Sequence, residues 1–226
     1  MSTDPTAVLD PAAREALGKV LELLAEERAS VSSVVDERAW RVHVADSLTG
    51  LEIRELSTAR RIADLGAGAG FPGLALAVGL PGAQVDLIES ITRKCDFMQR
   101  AIDAAAISNA TVLNTRSEDW ANSDGREAYE AVTARAVGRL STLSELASPL
   151  LKPNGVLIAW KGKRDEDEEE QMNRASEPLA MRPEQILDVG NRAGSQHRHL
   201  HVIRKVGPTP PDLPRRAGIA KKRPKG

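Results

Sequence analysis

Four glycines lie close together in IADLGAGAGFPG, residues 62–73, directly after a short apolar run. A strand that ends in a glycine-rich turn before a helix lets the backbone approach a ligand closely. The spacing Gly66-x-Gly68-x-Gly70 is one residue shorter than the dinucleotide fingerprint G-x-G-x-x-G, and the carboxylate of Asp64 disfavours a diphosphate. The turn therefore favours a ligand with hydroxyl and ammonium donors and a sulfonium charge. The alternative is a turn that only allows tight packing of a strand against a helix.

A second acidic residue, Glu89, closes the next apolar run, AQVDLIES, 19 residues after Gly70. In nucleotide-binding α/β sheets, a carboxylate at this place accepts hydrogen bonds from both ribose hydroxyls. A solvated strand end is the alternative. A third feature is LLKPNGVLIAW, residues 150–160, which predicts a helix end, a Pro-Asn-Gly turn and a strand. Together the three features resemble the class I S-adenosylmethionine-dependent methyltransferases.

Strands and helices must alternate to position these residues. Two later strands follow without a long crossover, which predicts an antiparallel edge. We expect an α/β fold: a Rossmann-like class I methyltransferase with a mostly parallel seven-stranded sheet and helices on both faces. The predicted strands are 61–65, 83–90, 110–116, 129–135, 155–162, 184–190 and 198–206, and the first predicted helices are 12–29 and 36–48. The predicted parts are an N-terminal helical extension (1–50), the methyltransferase domain (51–206) and a C-terminal arm (207–226).

Composition excludes several classes of protein. Of the 226 residues, 41% are hydrophobic and 28% are charged, which is typical of a soluble globular protein. No run approaches the roughly 18 apolar residues that cross a membrane, and no basic segment precedes an apolar one at the N-terminus. We therefore expect a cytoplasmic protein without a membrane segment. The single cysteine, Cys95, excludes a disulfide framework and a cysteine-based zinc site.

The net charge of −1 hides a basic C-terminal stretch, LPRRAGIAKKRPKG, residues 213–226, with six lysines and arginines and no acid. Such a stretch favours binding to nucleic acid, and a solvated end without a role is the alternative. Prolines at 208, 210, 211 and 214 disfavour regular structure, so we expect a flexible arm. Three alternating histidines at 197, 199 and 201 would share one face of a strand, but a metal site there is the less favoured interpretation.

Several longer segments narrow the resemblance. They are HVADS (43–47), DLGAGAGFPGLALA (64–77), ESITRKCDFM (89–98), TRSEDW (115–120), TARAVG (133–138), WKG (160–162), HRHLHVIRK (197–205) and PRRAGIAKKRP (214–224). Over roughly residues 40–220 this set resembles the bacterial 16S ribosomal RNA guanine-N7 methyltransferases of the RsmG (GidB) type. The Phe-Pro-Gly, Thr-Ala-Arg-Ala and Pro-Arg-Arg-Ala-Gly sequences are not general features of methyltransferases.

The resemblance implies methyl transfer from S-adenosylmethionine to N7 of one guanine in the decoding region, on 16S ribosomal RNA or the small ribosomal subunit. We expect a monomer without a metal. Together with the glycine turn, it implies cofactor positions at Asp64, Gly66, Gly68, Gly70, Phe71, Glu89, Ser117, Glu118 and Arg135. Substrate-side candidates are His43, Asp46, Ser47, Arg135 and Lys161. Candidate RNA contacts are Arg93, Lys94, Arg215, Arg216, Lys221, Lys222 and Arg223.

The chemistry requires no general base, because N7 of guanine carries a free lone pair. Arg135 stays protonated and cannot act as a base. Asp46 or Glu118 could favour the positive charge that builds on the base. Removal of residues 213–226 is expected to weaken RNA binding and leave cofactor affinity unchanged. Alternatives are a methyltransferase of another RNA, a protein or a small molecule, an NAD-dependent oxidoreductase, and a non-enzymatic RNA-binding module.

Overall fold

The computed structural model describes residues 4–27, 32, 34–190 and 197–226. Helix α1 begins at Pro11, where proline suits the first helical turn, and the Asp10 side chain accepts a hydrogen bond from Ala13 N at 2.8 Å. A π-helical turn, Trp40–Ala45, runs directly into α2. The helices are α1 Pro11–Glu26, α2 Asp46–Leu48, α3 Arg54–Ser57, α4 Gly73–Gly79, α5 Thr92–Ala105, α6 Ser117–Trp120, α7 Leu140–Ala147, α8 Glu166–Leu179 and α9 Ile219–Lys222.

Within the described residues, seven strands form one sheet in the order β3-β2-β1-β4-β5-β7-β6. The pairs from β3 to β5 are parallel, and β7 is antiparallel to both β5 and β6. The predicted fold, with its antiparallel edge, is confirmed. The strands are β1 Arg61–Leu65, β2 Gln84–Glu89, β3 Ala110–Asn114, β4 Tyr129–Arg135, β5 Leu151–Lys161, β6 Met181–Asp188 and β7 His199–Lys205.

The predicted Pro-Asn-Gly turn differs from the structure. Strand β5 already begins at Leu151, which pairs with Tyr129, and the register then shifts before Val156. Asn154 has a φ of 68°, so the residues expected to form a turn form an irregularity inside the strand. The helix end predicted within residues 150–160 correspondingly lies earlier, because α7 ends at Ala147.

Two apolar layers cover the sheet. On one face, Leu17, Val20 and Leu24 of α1 are fully buried in the same cluster as α4 and α5. The other face packs against α7 and α8. Burial of one leucine stabilises the fold by about 1.5–3 kcal/mol, so α1 contributes substantially to the core of the sheet. Among the described residues, no helix combines the length and the apolar character needed to cross a membrane.

The C-terminal segment differs most from expectation. Leu213 and Ala220 are 3% and 4% exposed, and Leu213 lies in the cluster beneath α7 and α8. Residues 207–226 are described, and these two side chains pack on the domain, which the prediction of an arm did not include. Prolines prevent helices and strands, but they do not prevent apolar side chains between them from being buried.

The sheet positions a site at the carboxyl ends of its central strands. Strand β1 lies between β2 and β4, so the chain crosses to opposite sides of the sheet after these strands. In open α/β sheets, ligands bind in the crevice outside the carboxyl ends of the strands at this point. The predicted glycine turn, Glu89 and Arg135 all follow or end these three strands.

Candidate functional site

The glycine turn after β1 has a backbone that side chains would disturb. Gly66, Gly68 and Gly70 have φ values of 65°, 59° and 85°, in the left-handed region that favours glycine. A Cβ atom at Gly70 would lie 2.4 Å from Cδ1 of Leu74, and one at Gly66 would lie 3.0 Å from Val137. The turn therefore presents bare backbone to the space above β1.

Asp64 lies beneath this turn. Its side chain is buried, Oδ2 accepts a hydrogen bond from Gly73 N at 2.9 Å, and Oδ1 accepts one from Thr133 Oγ1 at 2.9 Å. Burial raises the pKa of Asp64 to about 6, although both hydrogen bonds act in the opposite direction. Sequence analysis placed Asp64 at a cofactor position, but these contacts give it a role in supporting the turn from below.

Glu89 ends β2 and joins the turn to the neighbouring strand. Its Oε2 accepts a hydrogen bond from Gly68 N at 3.1 Å, and its Oε1 accepts one from Ile91 N at 2.9 Å. Each carboxylate oxygen has a further lone pair, so Glu89 can still accept hydrogen bonds from a ligand. The side chain also lines the cleft beside the turn.

This cleft has a volume of about 180 Å³. Four of the predicted cofactor residues border it: Gly66, Glu89, Ser117 and Glu118. Leu65, Ile88 and Leu146 supply apolar walls. Gly218, Ala220 and Lys221 also border it, and sequence analysis did not place them there. The signal available was the pair of apolar residues, Leu213 and Ala220, inside an otherwise basic tail.

The substrate-side candidates form a separate polar cluster at the end of β4. Arg135 Nη1 donates hydrogen bonds to Asp46 Oδ2 at 2.8 Å and to Val42 O at 2.9 Å. His43 stacks on Phe71 with ring centroids 5.0 Å apart, which joins the cluster to the glycine turn. Thus the neighbouring residues His43 and Asp46 meet Phe71 and Arg135, which are distant in sequence.

The His43 ring has a partner at each nitrogen. Nε2 lies 2.8 Å from Val34 O, and Nδ1 lies 3.3 Å from Arg135 Nη2. These contacts fit a neutral ring that donates from Nε2 and accepts at Nδ1. Burial lowers the pKa of His43, which also favours the neutral form.

Asp46 also contacts an arginine that sequence analysis missed. Arg198 Nε lies 2.8 Å from Asp46 Oδ1 as an ion pair, just before β7. Two guanidinium groups thus face one buried carboxylate. The suggestion that Asp46 stabilises positive charge on a base stays a prediction, and in the structure this carboxylate already pairs with Arg135 and Arg198. In the sequence, nothing local distinguishes Arg198 from other basic residues on the strand.

Two further candidates on the substrate side have structural contacts. Ser47 is fully buried, and its hydroxyl donates a hydrogen bond to His43 O, one turn earlier in the chain. Lys161 Nζ donates hydrogen bonds to Glu168 Oε1 at 2.7 Å and to Gly138 O at 3.0 Å. Ser47 therefore holds the helical turn together, and Lys161 holds the loop after β4.

The predicted RNA contacts fall into two groups. Arg215 is half-buried and donates two hydrogen bonds to the buried carboxylate of Glu145, so it fastens the C-terminal segment. Others are at the surface: Arg216, Lys221, Lys222, Arg223 and Arg93 are exposed, while Lys94 is half-buried. Of these, Lys221 borders the cleft. Among the described residues, no three histidines, cysteines or acids are grouped to hold a metal ion.

Comparison with known proteins agrees with this architecture. The family model described as GidB, rRNA small subunit methyltransferase G, matches residues 16–200. Ribosomal RNA small subunit methyltransferase G of Staphylococcus carnosus is 35% identical over 208 residues, which cover 90% of this chain and 87% of that protein. The protein of the same name from Bacillus subtilis is 33% identical over 220 residues, covering 96% of this chain and 92% of that protein.

Solved structures agree at the level of the fold. The crystal structure of a SAM-dependent methyltransferase from Aquifex aeolicus is similar with a TM-score of 0.55 and 16% identity, covering 76% of this chain and 94% of that chain. Given the match of the family model over most of the described sheet, and relatives that align along nearly their whole length, the chain belongs to the rRNA small subunit methyltransferase G (GidB) family.

Proposed function

We propose that this chain transfers a methyl group from S-adenosylmethionine to N7 of one guanine in the decoding-region loop of 16S ribosomal RNA. The names of the relatives support methylation of small-subunit ribosomal RNA. The choice of N7 and of the decoding region depends on the resemblance of the sequence segments. One observation carries the proposal: the glycine turn that borders the cleft at Gly66 also contains Phe71, whose ring stacks on His43 of the Arg135 cluster.

The cleft suits S-adenosylmethionine. Its glycine turn borders the cleft at Gly66, and Glu89 has acceptor positions for ribose hydroxyls. Ser117 and Glu118 border the far side, where an adenine would lie. When bound, S-adenosylmethionine supplies an electrophilic methyl group on a sulfonium.

The chain's own contribution to the reaction is to hold the guanine, because N7 needs no deprotonation. The His43 ring has a partner at each nitrogen, and Arg135 keeps its proton, so neither acts as a base. The guanidinium groups of Arg135 and Arg198 can donate hydrogen bonds to guanine O6 or to a phosphate. Asp46 offsets their charge, which would otherwise oppose a base that becomes cationic. Orientation of this kind can contribute about 7–11 kcal/mol.

The RNA must present its base outside a regular helix. N7 faces the deep and narrow major groove of A-form RNA, which side chains do not reach. The target guanine is therefore expected in a loop, or extruded from its stack into the space beside Phe71 and Arg135. Lys221 borders the cleft, and the other cations at the C-terminal end of the chain are exposed, so they can contact phosphates.

The test is transfer of a labelled methyl group to small ribosomal subunits from cells that lack this protein, followed by mapping of the modified nucleotide. A single N7-methylguanine in the decoding region is the expected product. Glu89→Gln should bind S-adenosylhomocysteine at least 10-fold more weakly, because one acceptor becomes a donor that faces backbone N–H groups.

Glu15→Gln is the matched control, because Glu15 is an exposed acid on α1 that pairs only with Lys19 among the ion pairs of the described residues. This variant should bind and methylate as the unchanged chain does. Binding of S-adenosylhomocysteine without methylation of the subunit would reject the RNA substrate and redirect the search to other RNAs or small molecules. Methylation of an atom other than guanine N7 would reject the assignment to N7 but not the methylation of ribosomal RNA.

A further inference from the structure

The C-terminal residues 213–223, here called the strap, form one wall of the cleft. Gly218, Ala220 and Lys221 border it together with Gly66 and Glu89 of the sheet edge. Sequence analysis assigned this segment to RNA alone and expected its removal to leave cofactor affinity unchanged. A segment that supplies part of the wall cannot be removed without opening the cleft to water.

The strap is fastened firmly at its beginning. Leu213 is 3% exposed within the core, and Arg215 pairs with Glu145, a carboxylate that is itself 2% exposed. Arg215 Nη2 also donates a hydrogen bond to Arg223 O at 2.7 Å, which closes the strap into a loop. The path of residues 216–222 is therefore restrained from both ends.

Contacts to the cleft are fewer and involve the backbone. Gly218 N donates a hydrogen bond to Glu118 Oε1 at 2.8 Å, and Ala220 O accepts a longer one, 3.4 Å, from Thr142 Oγ1. Gly218 has a φ of 81°, a conformation that glycine adopts without strain. Glu118, the predicted neighbour of the adenine, is thus tied to the strap and also borders the cleft.

The strap also carries exposed basic side chains, one of which, Lys221, borders the cleft as well. The exposed residues are Arg216, Lys221, Lys222 and Arg223, whereas Asp212, at the edge of the strap, pairs with Lys225 at 2.6 Å. Cations on an exposed segment bind the phosphates of RNA, and this binding restrains the segment. One short segment therefore borders the cofactor cleft and also carries exposed cations that can bind phosphates.

We propose that the strap couples the two substrates: it closes one side of the cofactor cleft and binds RNA phosphates through its exposed cations, so that each ligand tightens the binding of the other. This inference rests on the proposed function. Coupling between two binding sites is reciprocal, so RNA must raise cofactor affinity by the same factor as cofactor raises RNA affinity. A factor of about 5–20 is expected, at the lower end of typical couplings.

The experiment measures binding of labelled S-adenosylhomocysteine by equilibrium dialysis, with and without saturating small subunits from cells lacking this protein. A chain ending at Arg216 keeps Leu213 in the core and Arg215 on Glu145 but lacks the wall. It should bind S-adenosylhomocysteine about 10-fold more weakly than the full chain and show no coupling. The melting temperature of the shortened chain without ligand checks that the domain still folds.

A charge variant separates the two roles of the strap. Arg216→Gln, Lys222→Gln and Arg223→Gln together keep the wall and remove three surface cations. Without RNA, this variant should bind S-adenosylhomocysteine within twofold of the full chain. For RNA binding, the slope of log affinity against log salt concentration should become smaller in magnitude by about 2 for this variant. Lys225→Gln is the control, because Lys225 lies outside the strap and pairs with Asp212.

A measurement on the unchanged chain covers the case in which the shortened chain fails to fold. Hydrogen exchange of the Gly218 amide should slow at least fivefold when S-adenosylhomocysteine binds. Unchanged exchange of the Gly218 amide, or equal affinity of the shortened and full chains for S-adenosylhomocysteine, would overturn the proposed role of the strap. The proposed methyltransferase function would be unaffected. Failure of the full chain to bind S-adenosylhomocysteine would overturn both proposals together.

Discussion

The two halves of the site, the cofactor cleft and the Arg135 cluster, differ in whether backbone or side chains form them. The cofactor half consists of backbone: three glycines lie in the left-handed region, and the turn is held by buried carboxylates, Glu89 at Gly68 N and Asp64 at Gly73 N. The substrate half consists of side chains, in which Asp46 lies between two arginines. The glycine turn keeps its conformation only without side-chain atoms at its glycines. The charge cluster keeps its geometry only when each charged side chain is present. Substitutions should therefore affect cofactor affinity in the first half and methyl transfer in the second.

The largest effect is expected for Gly70→Ala in the cofactor half. The new Cβ atom would lie 2.4 Å from Leu74 Cδ1 at a residue whose φ is 85°. We expect a loss of about 2–4 kcal/mol in the free energy of unfolding, from backbone strain and overpacking together. Affinity for S-adenosylhomocysteine, measured by calorimetry, should fall roughly 100-fold.

Gly82→Ala is the matched control. A Cβ atom there meets nothing within 4 Å, and its backbone does not occupy the left-handed region. This variant should change the free energy of unfolding by less than about 0.5 kcal/mol. Equal losses in Gly70→Ala and Gly82→Ala would contradict the view that the turn requires bare backbone.

Arg135→Met should produce the largest effect in the substrate half. Asp46 would keep Arg198 as its ion-pair partner, and the hydrogen bonds to Val42 O and His43 would be lost. Turnover in the methyl transfer assay should fall by roughly 100-fold, because small displacements of an oriented group have effects of this size. The affinity for S-adenosylhomocysteine should stay within about threefold of that of the unchanged chain. Equal losses of turnover and of this affinity would contradict the distinction between the two halves of the site.

Asp46→Asn tests the compensation of charge with a smaller effect. The variant leaves Arg135 and Arg198 beside a neutral amide, so repulsion between them should shift both guanidinium groups. We expect turnover to fall about 10-fold, with cofactor affinity within twofold. Turnover equal to that of the unchanged chain would show that the ion pairs do not position the substrate.

The smallest effect concerns pH and Asp64. Its pKa of about 6 in the folded chain lies above the ordinary value of 3.8, so the folded state holds its proton more tightly than the unfolded state. The contribution of Asp64 to stability is therefore fully present below pH 4 and is lost as the pH rises towards 6. Each unit of pKa difference corresponds to about 1.4 kcal/mol.

Asp64→Asn removes this titration. Denaturant unfolding at several pH values should show that the unchanged chain loses stability relative to Asp64→Asn between pH 4 and 6. An Asn side chain can still accept a hydrogen bond from Gly73 N, so the turn should persist. A constant difference in stability across this range would contradict the raised pKa.

Sequence patterns predicted elements better than they predicted contacts. Strands β1 and β4 were predicted with their observed limits, Arg61–Leu65 and Tyr129–Arg135, because both are short apolar runs with clear ends. The predicted start of β5 was wrong. Pro-Asn-Gly normally indicates a turn, but the pairing of Leu151 with β4 overrides that preference. Arg198 escaped notice because it has no local signature, and the wall formed by Gly218 was missed because the apolar Leu213 and Ala220 stand among basic residues.

The sequence by itself determined the order of strands and helices, the glycine turn and the carboxylate that ends β2. Those features follow from residue types within a few positions of one another: apolar alternation, the freedom of glycine and the end of a strand. Tertiary structure alone decided which distant groups meet. Asp46 pairs with Arg135 and Arg198, and the proline-rich tail packs beside Glu118, because folding brings side chains together across the sheet. Such contacts depend on three-dimensional distance, which local spacing along the chain does not encode.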